Sequence, residues 1–142
     1  MDLEYKITFN KRVFDRLQIP IIDIMLMGKY HSFLLDTGAN NNALDREIYN
    51  QLKNEHNLKE AKEKIQILTS SHVTQEVREL VELPLIIENK ELLFPFTITD
   101  LTILRKEVLT KAGAEVDGLL GSRFFDHYKW ILDFKEWAVW KY

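Results

Sequence analysis

The 142-residue chain contains no cysteine, which removes disulfide frameworks, zinc–thiolate centres and cysteine nucleophiles from consideration. It has no basic excess. Lys and Arg number 19 against 22 Asp and Glu, for a formal net charge of −3, so nucleic acid is not an expected partner. No apolar run approaches the roughly 18 residues of a membrane-spanning helix, and no membrane partner is expected. The N-terminus alternates charged and apolar residues and lacks the basic-then-apolar layout of a signal peptide, which makes the cytoplasm the expected location. The four histidines (His31, His56, His72 and His127) are widely spaced and form no metal-ligand pattern with neighbouring carboxylates. Neither a metal nor another cofactor is expected. Glycine is scarce: five in all, with none between Gly38 and Gly113.

What is present is an ordinary globular composition, 46% hydrophobic and 29% charged, long enough to bury a core as one domain spanning residues 1–142. Tyr5 to Phe9 alternates at period two, as a half-buried strand does. Ile19 to Met27 and Phe33 to Leu35 read as a hairpin bent at Gly28. From Ala43 to about Lys62, Leu44, Ile48 and Leu52 recur at spacing four, the pattern of an amphipathic helix. Strands follow at Lys64–Leu68 and Val77–Val81, joined by the polar segment Thr69–Gln75 as a projecting hairpin. A further pair follows at Leu83–Ile87 and Leu92–Thr99, with Pro84 and Pro95 suited to edges or strand starts. Leu101 to Ala112 reads as a short helix stopped by Gly113. Val116 to Gly121 is an apolar strand flanked by glycines, and Ser122 is placed to cap a helix through Tyr128. Trp130–Phe134 and Trp137–Trp140 form a closing hairpin, with Trp137 and Val139 on one face and Ala138 and Trp140 on the other. Many short strands and one or two helices make a mostly β protein, a barrel or sandwich.

The most informative stretch is Phe33-Leu34-Leu35-Asp36-Thr37-Gly38-Ala39. It ends a buried-strand pattern on a carboxylate, then a hydroxyl residue, then glycine. Burial raises a carboxyl pKa, backbone N–H groups lower it, and a second carboxylate splits the pair. Such surroundings make an aspartate a general acid or base. The same three residues also describe an ordinary turn, with Asp capping local amides and Gly at positive φ.

Two blocks in order resemble the single-domain, retroviral-type (retropepsin-like) aspartic proteases: Leu34-Leu35-Asp36-Thr37-Gly38-Ala39 and, some eighty residues on, Leu119-Leu120-Gly121 before a short helix. The downstream string Val116-Asp117-Gly118-Leu119-Leu120-Gly121-Ser122-Arg123-Phe124-Phe125, ending in Trp130-Ile131-Leu132-Asp133-Phe134, is similar to bacterial relatives of that group. The resemblance implies a closed acid-protease-like β-barrel, a half-barrel that dimerises, acting as an aspartic endopeptidase on a peptide or protein substrate. It assigns catalysis to Asp36, Thr37 and Gly38. Because the chain holds one Asp-Thr-Gly, the second aspartate comes from a second copy, so a homodimer is implied. Thr37 would hold the pair by hydroxyl–backbone bonds, and Gly38 would bring its N–H close to the carboxylates. Ala39 would line the substrate pocket, with Ser70, Ser71, His72 and Val73 at the tip of the substrate-covering hairpin. Retroviral tips are glycine-rich and this one is not, which keeps open an alternative: a peptide-binding or dimerisation module with weak or no turnover. A dyad of Asp36 with Asp117 within one chain is the weaker reading, since Asp117 looks like a turn residue. Asp45 and Asp133 read as structural or solvent-facing. Trp137 and Trp140 are candidates for the dimer contact or for ordinary core packing.

Overall fold

A computed structural model describes residues 5–68 and 73–141. Among them, strand β1 (Tyr5–Thr8) is followed by helix α1 (Lys11–Leu17), where the sequence shows no helix. Asn10 starts it by accepting the Val13 N–H at 3.2 Å through its side-chain oxygen, as N-cap residues do. Seven residues with only Val13 and Phe14 buried are too few to show a periodicity. Strands β2 (Ile21–Leu26) and β3 (Lys29–Leu35) form the expected hairpin. Met27 and Gly28 both have positive φ at its bend, the signature of a tight primed turn.

The next segment departs from expectation. Ala43–Asp45 is a buried strand, β4, and α2 (Arg46–Glu55) begins only after it. Asp45 accepts the Glu47 N–H and so ends the strand and caps the helix. Leu44, Ile48 and Leu52 are all buried, but the first belongs to the strand, and the helix ends at Glu55, well before Lys62. Strands β5 (Glu60–Leu68) and β6 (Val73–Ile87) form a long hairpin in which Glu60 pairs with Val81 and Leu68 with Val73. Val73, Thr74 and Gln75, read from sequence as loop, are therefore strand. The two strands expected at 77–81 and 83–87 are one unbroken 15-residue strand.

Strand β7 (Lys90–Thr99) leads to α3 (Thr102–Ala112), which Gly113 closes at φ +64° as expected. The remaining elements are β8 (Gly118–Leu120), α4 (Ser122–Tyr128), β9 (Ile131–Asp133) and β10 (Ala138–Lys141). Ser122 is the first helical residue of α4 and not its cap. Gly121 holds that place, without a side-chain hydrogen bond. Trp137 lies in the turn at φ 49°, so the expected alternation fails and Ala138 and Val139 are both buried.

Two sheets result. In one, β10 lies between β1 and β9, all antiparallel. In the other, β2, β3, β8, β4, β7 and β6 follow in order, and β6 returns to β2 through Met25–Ile86 and Leu26–Leu85. These six strands close a barrel. β5 stands outside it, paired to β6. The fold is thus mostly β with a closed barrel, as expected, but with four helices among the described residues in place of one or two. Pro84 and Pro95 sit inside strands, not at their starts. Each falls where its strand has a neighbour on one side only: β5 leaves β6 at Val81 and β2 joins it at Leu85, while β4 meets β7 from Thr97 onward. A missing N–H costs nothing there.

Phe33, Leu44, Leu83, Leu85, Phe96, Leu120 and Phe124 are fully buried in the barrel core. Each contributes about 1.5–3 kcal/mol by leaving water. The Phe124 ring, 4.9 Å from Trp130, 4.7 Å from Tyr128 and 5.2 Å from Phe94 between centroids, pins α4 against the barrel. A second cluster of Val13, Ile21, Val108, Ala112 and Val116 joins α1 to α3. No helix among the described residues is long and apolar enough to cross a membrane.

Candidate active site

Asp36 stands where β3 ends beside its parallel neighbour β8, with Leu35 in register with Leu120. Its N–H donates to the Leu120 carbonyl at 2.9 Å, and its own carbonyl accepts from Ala39 N–H at 3.1 Å. The second bond closes a tight turn over Thr37 and Gly38. Within that turn, the Gly38 N–H donates to Asp36 Oδ1 at 2.9 Å. Asp36 is half-buried, whereas Thr37 and Gly38 are exposed. The apolar run therefore delivers a carboxylate with one oxygen held by an amide, at the barrel surface and beside an exposed hydroxyl.

The turn is held from behind by the junction of β8 and α4. Ser122 N–H donates to the Ala39 carbonyl at 2.7 Å, and Gly121 N–H donates to Asn42 Oδ1 at 2.7 Å. The approach requires glycine. A Cβ on Gly121 would lie 2.7 Å from the Asn41 carbonyl oxygen and 2.8 Å from that of Ala39, distances real side chains do not tolerate. Gly118 is packed in the same way: a Cβ there would lie 2.5 Å from the Ala43 carbonyl oxygen. The two glycines flanking the apolar pair Leu119-Leu120 thus let β8 and the Asp36 loop cross at backbone contact.

Asp117 is not the turn residue expected from the sequence. It is buried, with Oδ2 2.9 Å from His31 Nδ1 and 3.3 Å from the Ser32 N–H. Its backbone N–H donates to the Ser32 carbonyl. Ser32 precedes Asp36 by four residues, about 13 Å along a strand, so Asp36 and Asp117 lie at opposite ends of the β3–β8 pair and make no dyad. Asp45 is structural, as expected, and buried. Its Oδ1 accepts from Leu101 N–H at 2.9 Å, and its Oδ2 accepts from Glu47 N–H at 3.1 Å and from Arg105 Nη1 at 3.0 Å. Asp133 is structural too. It accepts the Lys135 and Glu136 N–H groups and the Trp140 indole N–H, and the Glu136 bond leads in holding its pKa below the usual carboxylate value.

Of the expected substrate contacts, Ala39 is half-buried in the turn after Asp36. Ser70, Ser71 and His72 lie outside the described residues, and Val73 begins β6 opposite Leu68. The site therefore gathers Asp36, Thr37, Gly38 and Ala39. Sequence reasoning missed Asn42, a buried amide. Its one signal is a polar residue immediately before the apolar pair Ala43-Leu44, and that signal is weak.

A barrel of this topology, with an Asp-Thr-Gly-Ala turn laid across an apolar-apolar-Gly strand, has the fold of the retropepsin-like aspartic proteases. Among solved structures, a retropepsin-like aspartic protease from Rickettsia conorii shares 19% identity with the chain, covering 97% of this chain and 89% of that one, with a TM-score of 0.56. The retroviral protease-like domain of Ddi1 from Leishmania major is more distant, at 11% identity over 81% of each chain and a TM-score of 0.47. No family model matches the chain, and neither does any curated protein.

Proposed function

We propose that the protein is an aspartic endopeptidase that works as a homodimer, with the two Asp36 carboxylates facing one another across a two-fold axis. The observation that carries this reading is the setting of Asp36. The residue is half-buried, one oxygen is held by Gly38 N–H, and the turn is locked by Gly121 in a retropepsin-like barrel. Two carboxylates about 3 Å apart cannot both ionise, so the pair shares one proton. The ionised member takes a proton from a water held between them, and that water attacks the peptide carbonyl carbon. The protonated member donates to the carbonyl oxygen, and breakdown of the tetrahedral adduct passes a proton to the leaving amine. No bond to the enzyme forms. In such a dimer the exposed Thr37 would bond through its hydroxyl across the axis, and an extended peptide would add as a strand beside the β5–β6 hairpin.

A second reading is favoured by the absence of glycine between Gly38 and Gly113: the groove holds an extended partner without cleaving it. Incubation with a mixture of unstructured peptides across pH 3–8 separates the two. Cleavage on the acid side of neutral, abolished in Asp36→Asn at unchanged melting temperature and dimer mass, supports the endopeptidase. Cleavage that survives Asp36→Asn overturns it, and binding without cleavage by the wild type supports the module.

A further inference from the structure

We propose that Asn42 is the positioning residue of the candidate active site, a side-chain clamp that holds the Asp36 turn in register with β8 and α4. The inference rests on the reading of Asp36 as catalytic, and it names a residue outside the Asp-Thr-Gly turn.

Asn42 is 2% exposed and ends the loop that begins at Asp36. Its side-chain oxygen accepts the Gly121 N–H at 2.7 Å in a buried bond. Its backbone carbonyl accepts twice from β7, from Thr97 N–H at 2.9 Å and from the Thr97 hydroxyl at 3.0 Å. The residue therefore fastens the far end of the loop to the barrel wall and, through its carboxamide, to the segment lying under Ala39 and Asn41. The near end is fastened by Asp36 N–H to Leu120 and by Ser122 N–H to Ala39. Those bonds join backbone to backbone and form with many residue types. The Asn42 bond needs an acceptor of one length at one position.

Gly121 has no side chain, a Cβ there would press on two loop carbonyls, and its amide bond to Asn42 is buried, so an unpartnered N–H there would be sealed from water. Sealing it raises the cost of any loop geometry that moves the Asn42 oxygen away. The Asn42 Nδ2 has no partner among the described residues. Only the oxygen of the carboxamide is used, so a carboxylate of the same shape would serve the clamp.

The test compares Asn42→Leu, similar in size without an acceptor, with Asn42→Asp, which keeps the acceptor. Steady-state peptide cleavage is measured well below the melting temperature, alongside amide hydrogen exchange at Gly38 and Gly121. A misplacement of the order of 1 Å costs about 100-fold in rate. Asn42→Leu is therefore expected to lose about that much in kcat with KM within a factor of about two, and Asn42→Asp to recover most of it. Exchange at both glycines should quicken in Asn42→Leu and return toward wild type in Asn42→Asp. A merely structural role would lower the melting temperature without the kcat-against-KM split or the rescue. Should Asn42→Leu fail to fold, Asn42→Ser, too short to reach Gly121, takes its place. Exchange at Gly38 unaltered by loss of the acceptor, or an unaltered kcat, overturns the proposal. If the wild type cleaves nothing, the endopeptidase reading fails, and the exchange experiment still decides whether Asn42 holds the turn.

Discussion

Replacing Asp45 with asparagine isolates a buried carboxylate on which three donors converge. The side chain has the same shape, but one oxygen becomes an NH2 group. Three donors converge on the carboxylate: Leu101 N–H, Glu47 N–H and Arg105 Nη1. An amide oxygen can keep Leu101, and the NH2 then faces Glu47 N–H and the guanidinium. Loss of the helix cap costs about 1 kcal/mol. The charged bond to Arg105 is worth about 1.5–3 kcal/mol when buried. The Arg105 side chain is 22% exposed and Glu47 stands 3.3 Å away as a second partner, which places the loss at the lower end of that range. The total is about 2.5 kcal/mol. With an unfolding entropy near 2.1 cal/mol/K per residue, the melting temperature should fall by about 8 °C. Chemical denaturation should show a lower midpoint at unchanged m. In a double-mutant cycle, Asp45→Asn and Arg105→Met should couple by about 1 kcal/mol. A loss below about 0.5 kcal/mol, the size of an ordinary surface substitution, would refute the claim that Asp45 ties β4, α2 and α3 together.

Tyr49 is buried, and burial, followed by a hydrogen bond to the Glu60 carboxylate, pushes its pKa up from 10.0 to about 12. A raised folded pKa gives stability that is present below pH 10 and lost as pH climbs through 12. Alkaline melting should therefore steepen in that window, and Tyr49→Phe should flatten it; an identical alkaline profile in the two proteins would count against the burial of the hydroxyl. Asp133, Asp126, Asp100 and Glu60 have lowered pKa values, led respectively by the Glu136 N–H, Lys129, the Thr102 hydroxyl and the Tyr49 hydroxyl. Their contributions are present above the ordinary carboxyl pKa and lost as pH falls through the folded values. The melting temperature should hold from pH 7 to about 5 and decline below about 4, less steeply in Asp133→Asn; a decline already complete at pH 6 would contradict the assignment. Gly121→Ala places a methyl group against two backbone oxygens and should cost more than about 2 kcal/mol, so a melting temperature equal to wild type would disprove the close crossing.

The core of the fold was legible in the sequence because the barrel strands carry their apolar residues in short runs between clear turns. The hairpin at Gly28, the stop at Gly113 and the strand before Gly121 all announced themselves through glycine. Helix α1 did not, since its capping Asn10 looks like any loop residue and only two of its side chains are buried. The start of α2 was misplaced because Leu44 falls by chance on the helical spacing of Ile48 and Leu52, and nothing local marks Asp45 as the residue that separates strand from helix. Asp117 was misread for a similar reason. An Asp-Gly pair favours a turn locally, and its partner His31 lies 86 residues away, beyond any local pattern. At the candidate site, Asp36, Thr37 and Gly38 were singled out because they end a buried-strand pattern and a Leu119-Leu120-Gly121 block follows in order. Asn42 was not, because its function depends on an amide from β8–α4 that only the folded chain brings near.

The continuity of β6 has a mechanical consequence. One strand of 15 residues, roughly 45 Å from end to end, pairs with β5 along its first part and with β7 and β2 along its last. The projecting hairpin and the barrel wall therefore share one backbone, with no loop between them to act as a pivot. Displacement of the hairpin has to be absorbed as bending and twisting of the strand, most easily between Val81 and Leu85, where one flank lacks a neighbour and Pro84 leaves no donor to break. Such an element behaves as a leaf spring and not as a hinged door: its restoring force grows with displacement, and strain imposed at one end reaches β2 and β7 at the other.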